Sequence, residues 1–131
     1  GKDLIKTLLS SSSNTGVNTV KYLQLTNTTF TPAAADTYCC GSEHVAVLVN
    51  YNLEPAAGTY TSTGTGTWTI THTFTYSGTG GTQTVYGSGL TTSVTTGGAA
   101  ANLFAEATFS TTAPLSQSGD NVAVTWSASV T

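Results

Sequence analysis

Side-chain catalysis needs a base, an acid or a nucleophile held beside a partner group, and this chain offers few candidates. Its 131 residues include six carboxylates, Asp3, Asp36, Glu43, Glu54, Glu106 and Asp120, and two histidines, His44 and His72. The acids are scattered along the chain, and several fall in segments that read as turns. Glu43 and His44 are adjacent, but consecutive residues of a strand face opposite ways. His72 lies between Ile70 and Phe74 on an apolar alternation, where a hydrogen-bonded structural histidine is expected. Any serine-rich chain allows a Ser-His-Asp set on paper, so such a set says nothing here. No phosphate-binding loop, zinc-ligand spacing or EF-hand loop is present. The expectation is no catalytic residue, no cofactor and no metal.

The two cysteines, Cys39 and Cys40, are neighbours. Disulfides prefer Cα atoms roughly 4.4–6.8 Å apart, which disfavours a bond between adjacent residues. Half-buried thiols are therefore expected, with intermolecular disulfides as the sharper alternative. A metal site would need more ligands, and His44 is the one candidate near in sequence. Asn27-Thr28-Thr29 matches the N-glycosylation acceptor pattern, so Asn27 is a candidate attachment site.

Composition narrows the class further. Charged residues make up 7% of the chain, against about 25% in an average domain. Twenty-nine Thr and 14 Ser place a hydroxyl on about a third of all residues. Three lysines (Lys2, Lys6 and Lys21) and no arginine cannot neutralise a run of phosphates, which argues against nucleic acid as a partner. They are equally unable to hold an anionic membrane surface, and no apolar run approaches the roughly 20 residues of a membrane span. Two Trp, six Tyr and four Phe, with many β-branched Thr, are the mark of a folded β protein rather than a disordered chain. The absence of Met suggests that Gly1 is not the translated start: an initiator Met was removed, a leader or pro-segment was cleaved, or an upstream piece lies outside the numbering.

Hydrophobic periodicity supplies the elements. Leu4, Ile5, Leu8 and Leu9 share one face of a short N-terminal helix, too short to be stable unless it docks. Residues 10–16 read as a connector, so residues 1–16 form an arm and residues 17–131 a single β domain. Val20 to Leu25 reads as a strand, and Val45 to Val49 as a central strand buried on both faces. Thr fills every odd position from 59 to 75, while Trp68, Ile70, His72, Phe74 and Tyr76 fill even ones. One face is then a threonine ladder and the other faces the core. Gly64 and Gly66 suggest a bulge or close backbone approach near the start of that strand. Residues 82–86 and 91–95 read as weak strands separated by Gly87-Ser88-Gly89. Gly97 to Ala101 reads as another loop, and Leu103 to Ser110 as a strand followed by a turn from Pro114 to Asn121. The final strand sets Val122, Val124, Trp126, Ala128 and Val130 on one face. The expected fold is all-β, an antiparallel β-sandwich or barrel with a short N-terminal helix.

Two segments resemble a known group. Tyr22-Leu23-Gln24-Leu25 running into Thr31-Pro32-Ala33-Ala34-Ala35-Asp36-Thr37, and Leu103-Phe104-Ala105-Glu106-Ala107-Thr108-Phe109 with the closing Val122 to Val130 strand, are similar to motifs of small structural proteins of tailed bacteriophages. The order of the segments agrees as well. Asn27 stands where that group usually has Gly, Glu106 where Arg is common, and Cys39-Cys40 where small or apolar residues are usual. The resemblance implies a virion part, of the capsid-decoration, tail or tail-fibre kind, with no catalytic residues to carry over.

The function expected is therefore that of a virion structural protein, extracellular or in the virion, packing against copies of itself and other virion proteins. Leu4, Ile5, Leu8 and Leu9, with Val122, Val124 and Trp126, are the candidate assembly contacts. A subunit of a cellular extracellular filament or pilus built by strand complementation is the alternative. A carbohydrate-binding module is weaker: residues such as Tyr51, Tyr60 and Tyr86 could line a sugar platform, but the aromatics fall mainly on core-facing positions.

Overall fold

The structure, a computed structural model, describes Lys2 and residues 20–40, 48–94 and 103–131. The described chain is all-β, with seven strands in two antiparallel sheets. They are β1 (Tyr22–Thr26), β2 (Ala56–Ala57), β3 (Thr59–Gly64), β4 (Thr67–Thr75), β5 (Gln83–Thr91), β6 (Leu103–Leu115) and β7 (Asn121–Ser129). One sheet runs β2-β1-β5-β6 and the other β3-β4-β7. Leu4, Ile5, Leu8 and Leu9, and with them the expected helix, lie outside the described residues.

The even face of β4 builds the core, as alternation requires. Trp68, Ile70, Phe74 and Tyr76 are buried, together with Leu23 and Leu25 of β1, Val85 and Leu90 of β5, and Val124 of β7. Residues of both sheets thus share one apolar cluster. The odd face of β4 keeps its threonines half-buried or exposed, and Thr71 Oγ1 lies 3.1 Å from Thr125 Oγ1 on β7.

The long threonine alternation is two strands, not one. It breaks at Thr65-Gly66, where Gly66 takes a positive φ of 71° and β3 turns back on β4. A positive φ costs glycine little, so the glycine expected to mark a bulge makes a hairpin; the register shift falls nearby, between Ser62 and Gly64.

Gly87-Ser88-Gly89 is a second correction. It is the middle of β5, paired on one side with β1 and on the other with β6. The glycines are there for room. A Cβ at Gly87 would stand 2.5 Å from the Ala107 carbonyl oxygen and 2.6 Å from the Phe30 ring, and one at Gly89 2.5 Å from Cys39 Sγ. Close approach of neighbouring groups, rather than a break between two strands, explains these residues.

β6 extends through Pro114 to Leu115 and the chain turns only at residues 116–120. β6 carries three residues in excess here: Thr108 pairs with Gly87 and Ala113 with Val85, so the four residues 109–112 have Tyr86 alone opposite them. The expected strand at Val45–Val49 is also corrected where it can be seen. Leu48 is buried, its N–H bonded to the Leu25 carbonyl at 2.8 Å, but Val49 is exposed, and neither lies in a strand. Residues 45–47 and 97–101 lie outside the described residues.

Candidate assembly surface

The two sheets do not close on both sides alike. On one side the chain passes directly from β2 to β3 through Gly58, whose N–H donates to the Lys21 carbonyl at 2.7 Å. On the other side lie the outer strands β6 and β7, one from each sheet, and among the described residues no further strand pairs with either; at the start of β6 the Leu103 N–H donates to the Thr37 carbonyl at 3.1 Å.

Between β6 and β7 lie two apolar clefts. The larger, of about 510 Å³, is bordered by Trp68, Leu90, Phe104, Ala105, Trp126 and Val130, among others. The second, of about 300 Å³, is bordered by Ala107, Phe109, Val124 and Trp126. Trp126 stands between them. It is half-buried, and its indole N–H donates to Ser88 Oγ at 3.3 Å, a bond that crosses from one sheet to the other. Phe104 is 48% exposed on the rim. A row of half-buried apolar side chains beside unpaired strand edges is the form of a surface that associates with another chain.

The ends of the strands are held firmly. Asp120 closes the β6–β7 turn: one carboxylate oxygen accepts the Ser116 N–H at 2.7 Å and the Gln117 N–H at 2.9 Å. These bonds, led by that from Gln117, lower the Asp120 pKa from its ordinary value. The turn is tied to the end of β4, since Tyr76 N–H donates to the Asp120 carbonyl and Gly119 N–H to the Tyr76 carbonyl. The buried Tyr76 hydroxyl donates to the Gly81 carbonyl and accepts the Gly80 N–H, and its ring meets Tyr51 edge-on at 6.3 Å.

Of the sequence-predicted contacts, Val124 is buried and Val122 and Trp126 are half-buried on the inner face of β7. Phe109 and Ser88 were not foreseen as part of this surface. Ser88 was hidden by its glycine neighbours, whereas the alternation from Leu103 already set Phe104 apart from the inner face.

Cys39 and Cys40 are bonded to each other, and both are buried. This corrects the expectation of half-buried thiols available to another chain, because neither thiol is free. Asn27 is exposed, its side-chain amide within 3.3 Å of Gln83 Oε1. His72 is half-buried and meets the Phe74 ring edge-on at 4.6 Å, so an aromatic contact stands where a hydrogen bond was expected. Tyr51 and Tyr60 are exposed in part and Tyr86 is half-buried, on β5. Among the described residues, no group of three or more His, Cys, Asp or Glu could hold a metal ion. No helix of the described chain is long and apolar enough to cross a membrane.

No protein-family model, no curated protein and no solved structure matches this chain.

Proposed function

We propose that this protein is a structural subunit of a virion, of the capsid-decoration, tail or fibre kind. It works by packing into an oligomeric assembly with copies of itself and other virion proteins, and it catalyses nothing. Its sandwich-like β domain is the building block. The observation that carries the reading is the open side of the two sheets, where β6 and β7 leave their outer edges unpaired beside Phe104, Phe109 and Trp126. Covering that row removes apolar area from water at roughly 25 cal/mol per Å², and symmetry repeats the gain at every subunit. The neutral, hydroxyl-rich outer faces fit close packing, since few charges must be desolvated there.

The cleft also supports a second reading. It lies between two unpaired edges, the place where a filament subunit would accept a strand from its neighbour. Cryo-electron microscopy of the native assembly separates the two. The virion reading expects the β domain seated on a shell, tail or fibre beside other proteins. A one-protein fibre in which chain ends insert beside β6 or β7 would refute it and establish strand complementation.

A further inference from the structure

We infer that β7 is a self-pairing edge: two copies of this chain join through antiparallel β7 strands about a twofold axis at Thr125, making one six-stranded sheet. The inference rests on the reading that the chain works by packing with copies of itself, and it names the strand, the partner and the register.

The direction of the backbone groups comes first. Val130 N–H donates to the Gly66 carbonyl at 2.8 Å, and Tyr76 N–H to the Asp120 carbonyl at 2.7 Å. Both pairs follow the register of β4 on β7, which holds without a shift from Thr67↔Ser129 to Thr75↔Asn121. In an antiparallel ladder the hydrogen-bonded pairs alternate along the strand. Even residues of β7 therefore turn their N–H and C=O toward β4. Asn121, Ala123, Thr125, Ser127 and Ser129 turn theirs outward, to the edge left unpaired among the described residues.

The other outer strands suit pairing less well. β2 has two residues. β3 has six and carries the shift between Ser62 and Gly64. β6 carries Glu106 and Pro114 and the bulge at 109–112. A charge, a proline and a bulge are the devices that blunt an edge. β7 has none of them: its nine residues carry no charge and no proline.

The register follows from overlap. With Thr125 opposite Thr125 of the second copy, Ala123 meets Ser127 and Asn121 meets Ser129, so all five outward residues find partners and about ten hydrogen bonds form. The small, exposed side chains of these residues lie on the outer face and collide with nothing in the pairing. On the inner face, Trp126 comes opposite Val124 of the second copy, and Val122 opposite Ala128. Aromatic–β-branched pairs of this kind are favourable across strands. They also extend apolar cover beside the half-buried Trp126.

The test is sedimentation velocity over a wide concentration range at low salt, on the full chain and two double variants, with circular dichroism to confirm that each is folded. The native chain should form a dimer. Ala123→Lys with Ser127→Lys places amines opposite each other twice and should raise the dimer Kd about tenfold or more. Ala123→Lys with Ser127→Glu places opposite charges together in this register and should restore the dimer. Under mild oxidation Thr125→Cys should cross-link to itself, since the Cα separation of a hydrogen-bonded pair, about 5.5 Å, falls within the disulfide range. Ser129→Cys, which faces Asn121, should not. A native chain that stays monomeric throughout, or a Lys/Lys variant that dimerises like the native chain, overturns the inference. If the monomeric chain is nevertheless found packed in particles, the pairing falls and the assembly reading stands; if it is found in no assembly, both fall.

Discussion

The substitution Gly87→Ala tests whether β5 is continuous. In a turn with open space, alanine would shrink the unfolded ensemble and stabilise the fold by about 0.4–1 kcal/mol. In β5 the new methyl would lie 2.5 Å from the Ala107 carbonyl oxygen and 2.6 Å from Phe30 Cε1, where ordinary contact begins at 3.4 Å. The Phe30 ring can swing aside, but the carbonyl belongs to the paired strand β6 and moves only with it. Overpacking of this kind costs about 1–3 kcal/mol. Set against the entropic gain, the net loss is about 1–2 kcal/mol. For a chain of this size that lowers Tm by about 4 °C per kcal/mol, so a fall of about 4–8 °C is expected in a calorimetric scan. Phe30→Ala in the same background should recover part of the loss, giving a sub-additive double-mutant cycle. An unchanged or raised Tm in Gly87→Ala would refute the close approach.

Three further outcomes are expected. Tyr76→Phe removes a buried hydroxyl that serves both the Gly80 N–H and the Gly81 carbonyl, and should cost about 1–3 kcal/mol in urea denaturation with an unchanged m-value. Ser88→Ala takes the acceptor from the Trp126 indole and should cost about 1 kcal/mol, visible as a lower urea midpoint followed by tryptophan fluorescence. The Asp120 carboxyl is held below its ordinary 3.8 by the Gln117 and Ser116 N–H groups. A depressed folded pKa means a contribution present above the unfolded pKa and lost as pH falls through the folded one. Denaturation midpoints measured from about pH 5 down to about pH 2 should therefore converge for the native chain and Asp120→Asn; a constant gap would contradict the assignment.

Much of the architecture follows from the sequence by itself. Few charges, many hydroxyls and strict alternation across Trp68, Ile70, Phe74 and Tyr76 determined an all-β chain and the inner face of β4, because a strand has only two faces and water selects between them. The inner row of β7, with Val122, Val124 and Trp126, was legible for the same reason. Glycine is where local reading ran out. Gly66 and Gly87 look alike in sequence, yet one reverses the chain and the other admits a neighbouring strand and the Phe30 ring. The difference lies in what stands beside each residue in space. The same holds for Cys39, buried against Gly89, and for Ser88, which accepts a hydrogen bond from Trp126, 38 residues away in sequence. Only the tertiary structure decided that β6 and β7 end their sheets side by side with unpaired outer edges. Strand order is a matter of long-range pairing, and alternation within one strand carries no information about which strand lies next to it.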